Sequence, residues 1–430
     1  MAASQAPMGR VMRGVGANAY DKAAILVVQL LSIPLLSREW GAEGYGIWLM
    51  LMTVPVYLQL TDFGLGAAAT VEMTRGMARG DRATVRQIFQ CIWLMVTGVS
   101  LATAAIVIGI AAAVESSGAP FGAIVLVTLY GLLVMQINMQ MTVYRAIGKF
   151  ATSVVFTGTV LLVEGIAVVV IAAGGGGIVV AMAALLVLRA AALTGFAIHL
   201  HRVEPWARPG LRAVSAATMR SLTRPSLAAL SLTLAGAVVL QGALLTLGWA
   251  AGPATVAIFG GARTVSRAPL QFAGLFTRAS LPELTLSQAR GDVATISRLN
   301  RLNMLIALAA TIPFALLLAG FGPQILAALS GGALKASTSL FALLGAAVIA
   351  NAVWMAEAAP LIAQNRQGGF GSVYLCTCLC VVTMPLITPG DPMGVLAGAI
   401  LVSEIFCCLS VAASRSRVRR DRCRFPGGVR

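Results

Sequence analysis

TVEMTRGMARGDRATVRQ, residues 70–87, returns 211 positions later as LPELTLSQARGDVATISR, residues 281–298, without a gap. The identical pairs are Glu72/Glu283, Thr74/Thr285, Ala78/Ala289, Arg79/Arg290, Gly80/Gly291, Asp81/Asp292, Ala83/Ala294 and Thr84/Thr295. The same offset sets Gly41, Ile47 and Trp48 against Gly252, Ile258 and Phe259. A fixed period of this length means that one structural unit is repeated in tandem. Within the repeated element the glycine suits a tight turn. The aspartate can accept from the free N–H groups that open the next helix, and its arginine neighbour suits anionic headgroups. That is a structural role; a latch between the two halves is the alternative that the spacing leaves open.

What flanks the two copies is apolar. Of 430 residues, 58% are hydrophobic and 11% charged, with a mean hydropathy of +0.88, against roughly 25% charged residues in soluble domains. An ordinary soluble globule is excluded. Apolar runs close to the roughly 20 residues needed to cross about 30 Å of hydrocarbon predict twelve helices, at 15–36, 45–69, 88–114, 122–144, 151–173 and 178–198, then 226–249, 255–281, 302–321, 336–363, 374–387 and 393–413. The expected fold is therefore an all-α polytopic membrane protein of two six-helix lobes. The domain plan is an N-tail at 1–14, an N-lobe at 15–198, a basic loop at 199–225, a C-lobe at 226–413 and a basic C-tail at 414–430. Because six is even, both lobes share one orientation and should be related by a pseudo-two-fold axis along the membrane normal. A seam between such parallel repeats is where transporters place substrate and rock to give alternating access. A duplicated scaffold that transports nothing is the bland alternative.

The formal net charge of +16 arises from 31 basic against 15 acidic residues, which in a soluble chain would suggest nucleic acid. Sorted by position, 24 of the basic residues fall in the tails and the loops after even-numbered helices, and only Arg38 and Lys335 in the opposite loops. Basic residues are retained on the cytoplasmic side, so both termini are expected there. The basic segments then mark topology and anionic-lipid contact, with no nucleic-acid partner. The first apolar run lacks a small-residue cleavage site and reads as a retained helix. Seven cysteines sit mostly inside apolar runs. Cys376, Cys378 and Cys380 alternate along one helix, about 200° apart, and cannot converge on a metal.

Five basic residues remain inside the spans: Lys22, Arg189, Arg263, Arg267 and Arg278. An ionised side chain at the bilayer centre costs roughly 2.5–3.5 kcal/mol on insertion scales, so each is a candidate functional residue. Lys22 lies near a helix end and can snorkel. At 100° per residue Arg267 stands about 40° from Arg263, and Arg278 about 60°, on one face of the eighth helix, with Pro269 a possible kink between them. That face is expected to meet the inter-lobe cavity or a set of acids, namely Asp62 on the second helix, Glu357 on the tenth and Glu404 on the twelfth. Neutralised one for one, the arginines are glue; otherwise they form an anion site suited to phosphate oxygens. Arg278 lies near the cytoplasmic end, where snorkelling is an equal alternative.

Glu164 and Arg189 lie at similar depth on the fifth and sixth helices, as a neutralising pair or, alternatively, a proton relay. The four glycines between those helices, 174–177, are followed by no Gly-Lys-Ser/Thr and are not a phosphate loop. Gln136 and Gln140, one turn apart on the fourth helix, either line a hydrophilic path or hydrogen-bond between helices.

The stretch QLLSIPLLSREWGAEGYGIWLMLMTVPVYLQLTDFGLGAAATVEMTRG, residues 29–76, resembles the amino-terminal region of the Wzx-like O-antigen flippases. These are polysaccharide biosynthesis proteins of the multidrug/oligosaccharidyl-lipid/polysaccharide exporter superfamily. The likeness rests on Pro-Leu-Leu-Ser-Arg, Gly-Ala-Glu-Gly-Tyr-Gly-Ile-Trp and Thr-Asp-Phe-Gly-Leu-Gly, and at the level of motifs is confined to about the first 90 residues. The resemblance implies a MATE/flippase-like fold in the bacterial inner membrane. It implies transfer of an undecaprenyl-diphosphate-linked glycan, the repeat unit of an O-antigen, exopolysaccharide or capsule, to the periplasmic leaflet, with other polysaccharide-assembly proteins as partners. Arg263 and Arg267 then suit the diphosphate, although no fixed family motif aligns with them.

No nucleotide motif is visible, so no cofactor is expected and energy is expected from an H+ or Na+ gradient or from substrate flux. An organic-cation antiporter of the same fold would want cavity carboxylates; Asp62 and Glu164 keep it open, and the arginines oppose it. A membrane-embedded polymerase or glycosyltransferase is disfavoured, because there is no Asp-x-Asp and the outer loops are short. His199 and His201 have only Glu204 as an acidic neighbour, which makes them poor catalysts.

Overall fold

The computed structural model describes residues 7–60, 62, 65–113, 121–289, 292–363 and 368–424. All regular structure among them is helical. Helices α1 (Pro7–Leu51), α2 (Thr53–Leu60), α3 (Leu65–Ala78), α4 (Arg82–Ala113), α5 (Phe121–Ala146), α6 (Phe150–Ala173) and α7 (Ile178–Val203) come first. Helix α8 (Ala216–Ala237) and a π turn (Val238–Gly242) lead into α9 (Ala243–Ala251), α10 (Pro253–Ala289), α11 (Val293–Leu329), α12 (Thr338–Ala363), α13 (Gly368–Ile387) and α14 (Pro392–Arg424). The chain divides into two compact units, Met1–Leu230 and Ser231–Arg430, with the division inside α8.

Ten helical stretches among the described residues are long and apolar enough to cross a membrane. The first, Gly16–Leu60, joins end to end almost all of the first expected span and the larger part of the second. They meet at Gly41, whose φ of 68° and ψ of 179° interrupt the helix. The expected span at 255–281 lies within α10, which is not among the ten: three arginines lower its hydropathy. The expected second span, 45–69, is not one helix, because the chain turns between Leu60 and Leu65 and puts Asp62 in the turn.

The repeat is visible in the backbone. Gly252, 211 positions after Gly41, has φ 82° and ψ 169° and closes α9 as Gly41 closes the first half of α1. Both lie in a region of backbone space that is open essentially to glycine alone. Asp81 and Asp292 precede α4 and α11 and each bonds the threonine three residues on, so the expected aspartate caps form in both copies. Arg290 and Gly291 of the second copy lie outside the described residues.

In the first unit α1 packs on α6, α5 on α4 and α7, and α2 and α3 on α5. Its core runs through Met73, Phe89, Met135 and Tyr144, with Tyr144 stacked on Phe196 at a ring separation of 4.4 Å. The segment after α7 is bound to this core. Gln90 on α4 donates to the Arg208 carbonyl at 3.2 Å and accepts from Ala213 N at 2.9 Å, while Cys91 Sγ accepts from Ser215 N at 3.3 Å.

In the second unit α11 packs on α12, α10 on both, and α14 on α12 and α13. The α11–α12 crossing is close because Gly322 faces Phe341: a Cβ on Gly322 would stand 2.3 Å from that ring. Alanines 273, 307, 352 and 356 fill the space between α10, α11 and α12. Small side chains let helix backbones approach, which is how helices gain contact energy in lipid.

Candidate functional site

Helix α10 runs unbroken through Pro269, so Arg263 and Arg267 stand one turn apart on a common face. They line a small pocket that lies wholly within the second unit. Its walls are Val239 and Leu240 of the π turn, Arg263, Ser266 and Arg267 of α10, Leu344, Ala347 and Val348 of α12, and Ile400 and Glu404 of α14. Three apolar helices thus enclose two guanidinium groups, one hydroxyl and one carboxylate.

Arg263 is anchored at the π turn. Its Nη1 donates to the Leu240 carbonyl, and its guanidinium lies 5.8 Å from the Phe259 ring centre. A π turn replaces i→i+4 bonding by i→i+5 bonding and so frees a carbonyl to bond elsewhere, a feature that recurs at functional sites. Arg267 forms no hydrogen bond and no ion pair within 4.0 Å among the described residues, and its charge acts on Glu404 and Tyr374.

Glu404 is 2% exposed and is held by neutral donors. Its Oε2 accepts from Asn351 Nδ2 at 3.0 Å and Trp354 Nε1 at 2.5 Å, and its Oε1 faces the Tyr374 hydroxyl at 3.4 Å. Asn351 and Trp354 lie three residues apart on α12 and reach the same oxygen. The carboxylate is therefore stabilised without consuming an arginine. Of the three acids expected to balance the arginine face, Glu404 alone lines this pocket.

The other two are engaged elsewhere. Glu357 on α12 pairs with Arg415 of α14, beside Asn300, whose amide when turned to fit its neighbours offers its oxygen to Arg415 Nη1 at 3.2 Å. Asp62 belongs to the first unit. It accepts from Gly66 N at 2.8 Å, so it stabilises the start of α3, and Arg145 is the cation acting on it. Arg278 continues α10, but its side chain lies outside the described residues.

Glu164 on α6 and Arg189 on α7 form a direct ion pair, both buried, with Tyr130 of α5 completing a triangle. Arg189 Nη2 donates to the Tyr130 hydroxyl at 2.7 Å, which donates to Glu164 Oε2 at 3.0 Å. Glu164 Oε1 and Arg189 Nε have no hydrogen-bond partner among the described residues. The pairing reading of these two residues fits this geometry. Gln136 joins helices: Trp93 Nε1 donates to its Oε1 at 2.8 Å and its Nε2 donates to Thr97 Oγ1 at 2.9 Å. Its hydrogen-bonding groups are thereby occupied between α4 and α5. Gln140 Oε1 is buried without a partner among the described residues.

Sequence reasoning missed Ser266, Asn351, Trp354, Tyr374 and Tyr130. Ser266 carried a signal, because it falls three residues after Arg263 on the same face. Asn351 and Trp354 at i, i+3 in an apolar run carried a weaker one. Tyr130 and Tyr374 are pinned only by contacts between helices distant in the chain.

The all-helical fold and its long apolar helices together define a multi-pass membrane protein. An inward-facing multidrug resistance MATE family transporter of the MOP superfamily superposes with a TM-score of 0.69 at 14% identity, over 94% of this chain and 98% of that one. A crystal structure of MATE in complex with MaL6 gives 0.59 at 13%, over 95% and 97%. An outward-facing MATE family transporter gives 0.54 at 15%, over 95% and 98%. At these identities the likeness establishes the fold. The family model described as polysaccharide biosynthesis protein matches residues 11–288, and the chain belongs to that family. No curated protein matches the sequence.

Proposed function

We propose that the chain is a flippase that carries an undecaprenyl-diphosphate-linked oligosaccharide from the cytoplasmic to the periplasmic leaflet of a bacterial inner membrane by alternating access. The observation that carries this reading is the pair Arg263 and Arg267 on one face of α10, lining a pocket among apolar helices. Guanidinium forks match phosphate oxygens two at a time. A cation held among apolar helices is costly unless an anion answers it, and the neutral donors on Glu404 leave Arg267, which forms no hydrogen bond or ion pair among the described residues, available for one. The charge sorting supports cytoplasmic termini and loops in contact with anionic lipids. Other polysaccharide-assembly proteins are the expected partners. No resident cofactor is invoked, and an H+ or Na+ gradient is the proposed energy source.

The test replaces Arg263 and Arg267 with alanine in a strain deleted for the chromosomal copy. Surface glycan is expected to fall at least about tenfold, while lipid-linked intermediate accumulates and protein abundance stays near normal. Full restoration of surface glycan by the double variant would refute the anion site.

Glu404 in the same pocket favours a second reading, an antiporter for organic cations. Deletion would then alter drug tolerance and leave surface glycan intact.

A further inference from the structure

We infer that Asn351 and Trp354 are positioning residues for the anion site: they hold Glu404 away from Arg267, and without them Glu404 becomes that arginine's internal counter-ion and closes the site. The inference rests on the anion-site reading and adds what keeps the site from being filled by the chain itself.

Glu404 is an exception in this chain. The other two glutamates inside the expected spans each take an arginine, Glu164 pairing with Arg189 and Glu357 with Arg415. Arg267 lines the same small pocket as Glu404, and its charge acts on that carboxylate, yet no ion pair joins the two among the described residues. The difference lies in the neutral donors. Asn351 and Trp354, three residues apart on α12, both donate to Glu404 Oε2, at 3.0 Å and 2.5 Å. Hydrogen bonds to an ionised oxygen are shorter and stronger than neutral ones, and two on one oxygen fix where the carboxylate lies.

The donors are themselves supported. The Trp354 ring packs on Tyr374 and Phe370 of α13 at centroid separations of 5.2 Å and 6.4 Å, which restricts the direction of its Nε1. Ser403, the residue before Glu404, donates to Thr377 Oγ1 of α13 at 2.8 Å and ties α14 to the same neighbour. Packed and hydrogen-bonded supports of this kind hold the groups of a site in their working geometry. Take the donors away and the attraction between unlike charges, which grows as the dielectric falls, draws Glu404 to Arg267. A site filled by its own carboxylate about nine-tenths of the time binds an outside anion about tenfold more weakly.

The test uses the full chain and has two arms. In detergent, Tm is measured for Arg267→Met, Glu404→Gln and the two together, first in the wild type and then with Asn351→Leu. The coupling between positions 267 and 404 is expected to be larger with Asn351→Leu by at least about 2 °C, because an ion pair forms there that the wild type lacks. In a strain deleted for the chromosomal copy, Asn351→Leu and, separately, Trp354→Phe are expected to lower surface glycan about threefold to tenfold. Glu404→Gln added to either is expected to restore most of it, whereas packing damage on α12 is not repaired by removing a charge from α14. Equal coupling in the two backgrounds, a loss of glycan that Glu404→Gln does not repair, or no loss in a strain where the Arg263/Arg267 double variant fails, overturns the positioning role without touching the anion site. Larger coupling together with wild-type export by that double variant upholds the hold on Glu404 and overturns the anion-site reading alone.

Discussion

Asp81 and Asp292 close their helices with the same two bonds. Each accepts on Oδ1 from the backbone N–H of the third residue on, Thr84 or Thr295, at 3.0 Å, and on Oδ2 from that threonine's hydroxyl at 2.6 Å. The bonds from Thr84 hold the exposed Asp81 carboxyl below the usual carboxylate range. A lowered folded-state pKa stabilises above the unfolded value and loses that contribution as pH falls through the folded one. Asp81→Ala is therefore expected to lower Tm in detergent at pH 7. The gap from wild type should narrow at about pH 3, below the ordinary aspartate pKa; an equal gap at both pH values would remove the ionised cap.

Gly41 and Gly252 have no atom within 4 Å of where a Cβ would stand, so alanine there meets a purely conformational penalty. Each substitution is expected to destabilise by about 1–3 kcal/mol. Gly98→Ala, at a helical glycine of α4 with equally open space, is the control and should be neutral or stabilising by up to about 1 kcal/mol. Equal effects at all three positions in thermal unfolding would show that backbone angle is not the cause.

Breaking the Glu164 and Arg189 pair from one side leaves a buried charge without its counter-ion. Glu164→Gln is expected to cost about 3–5 kcal/mol and to reduce the yield of monodisperse protein. Glu164→Gln with Arg189→Leu should recover most of that loss. Equal damage in the single and double variants would mean that the pair is not the relevant unit.

At the α11–α12 crossing, Gly322→Ala would drive a methyl group into the Phe341 ring, and overpacking of this kind costs about 1–3 kcal/mol. Adding Phe341→Leu is expected to restore part of the stability, and a double-variant cycle on Tm measures the coupling. Strict additivity would place the damage elsewhere.

Features that depend on spacing along the chain could be read without coordinates. The offset between Asp81 and Asp292 exposed the duplication, and 100° per residue put Arg263 and Arg267 on one face. Features that depend on which helix lies beside which could not. Glu404 is 137 positions from Arg267, and the sequence gives it the same standing as Glu357 and Asp62; only packing of α14 on α12 brings Asn351 and Trp354 to its carboxylate and leaves Glu357 to Arg415. The π turn at Val238–Gly242 has no compositional signature among Val, Leu, Gln and Gly. Hydropathy marks apolar length and is blind to a change of direction inside an apolar run, which is why the turn between Leu60 and Leu65 could not be seen within the expected span 45–69, whereas Gly41 already lay between two expected spans.

The Gln90 bracket on the connector changes what kind of object that connector is. Residues 204–215 could have been slack rope, and slack stores entropy that any ordering must remove. With Arg208 and Ala213 both fastened to one amide, that entropy is already lost on folding, and the freely adjustable length of chain is shorter than the loop's residue count suggests. Cutting Gln90 back to alanine would in effect lengthen the tether without inserting a residue.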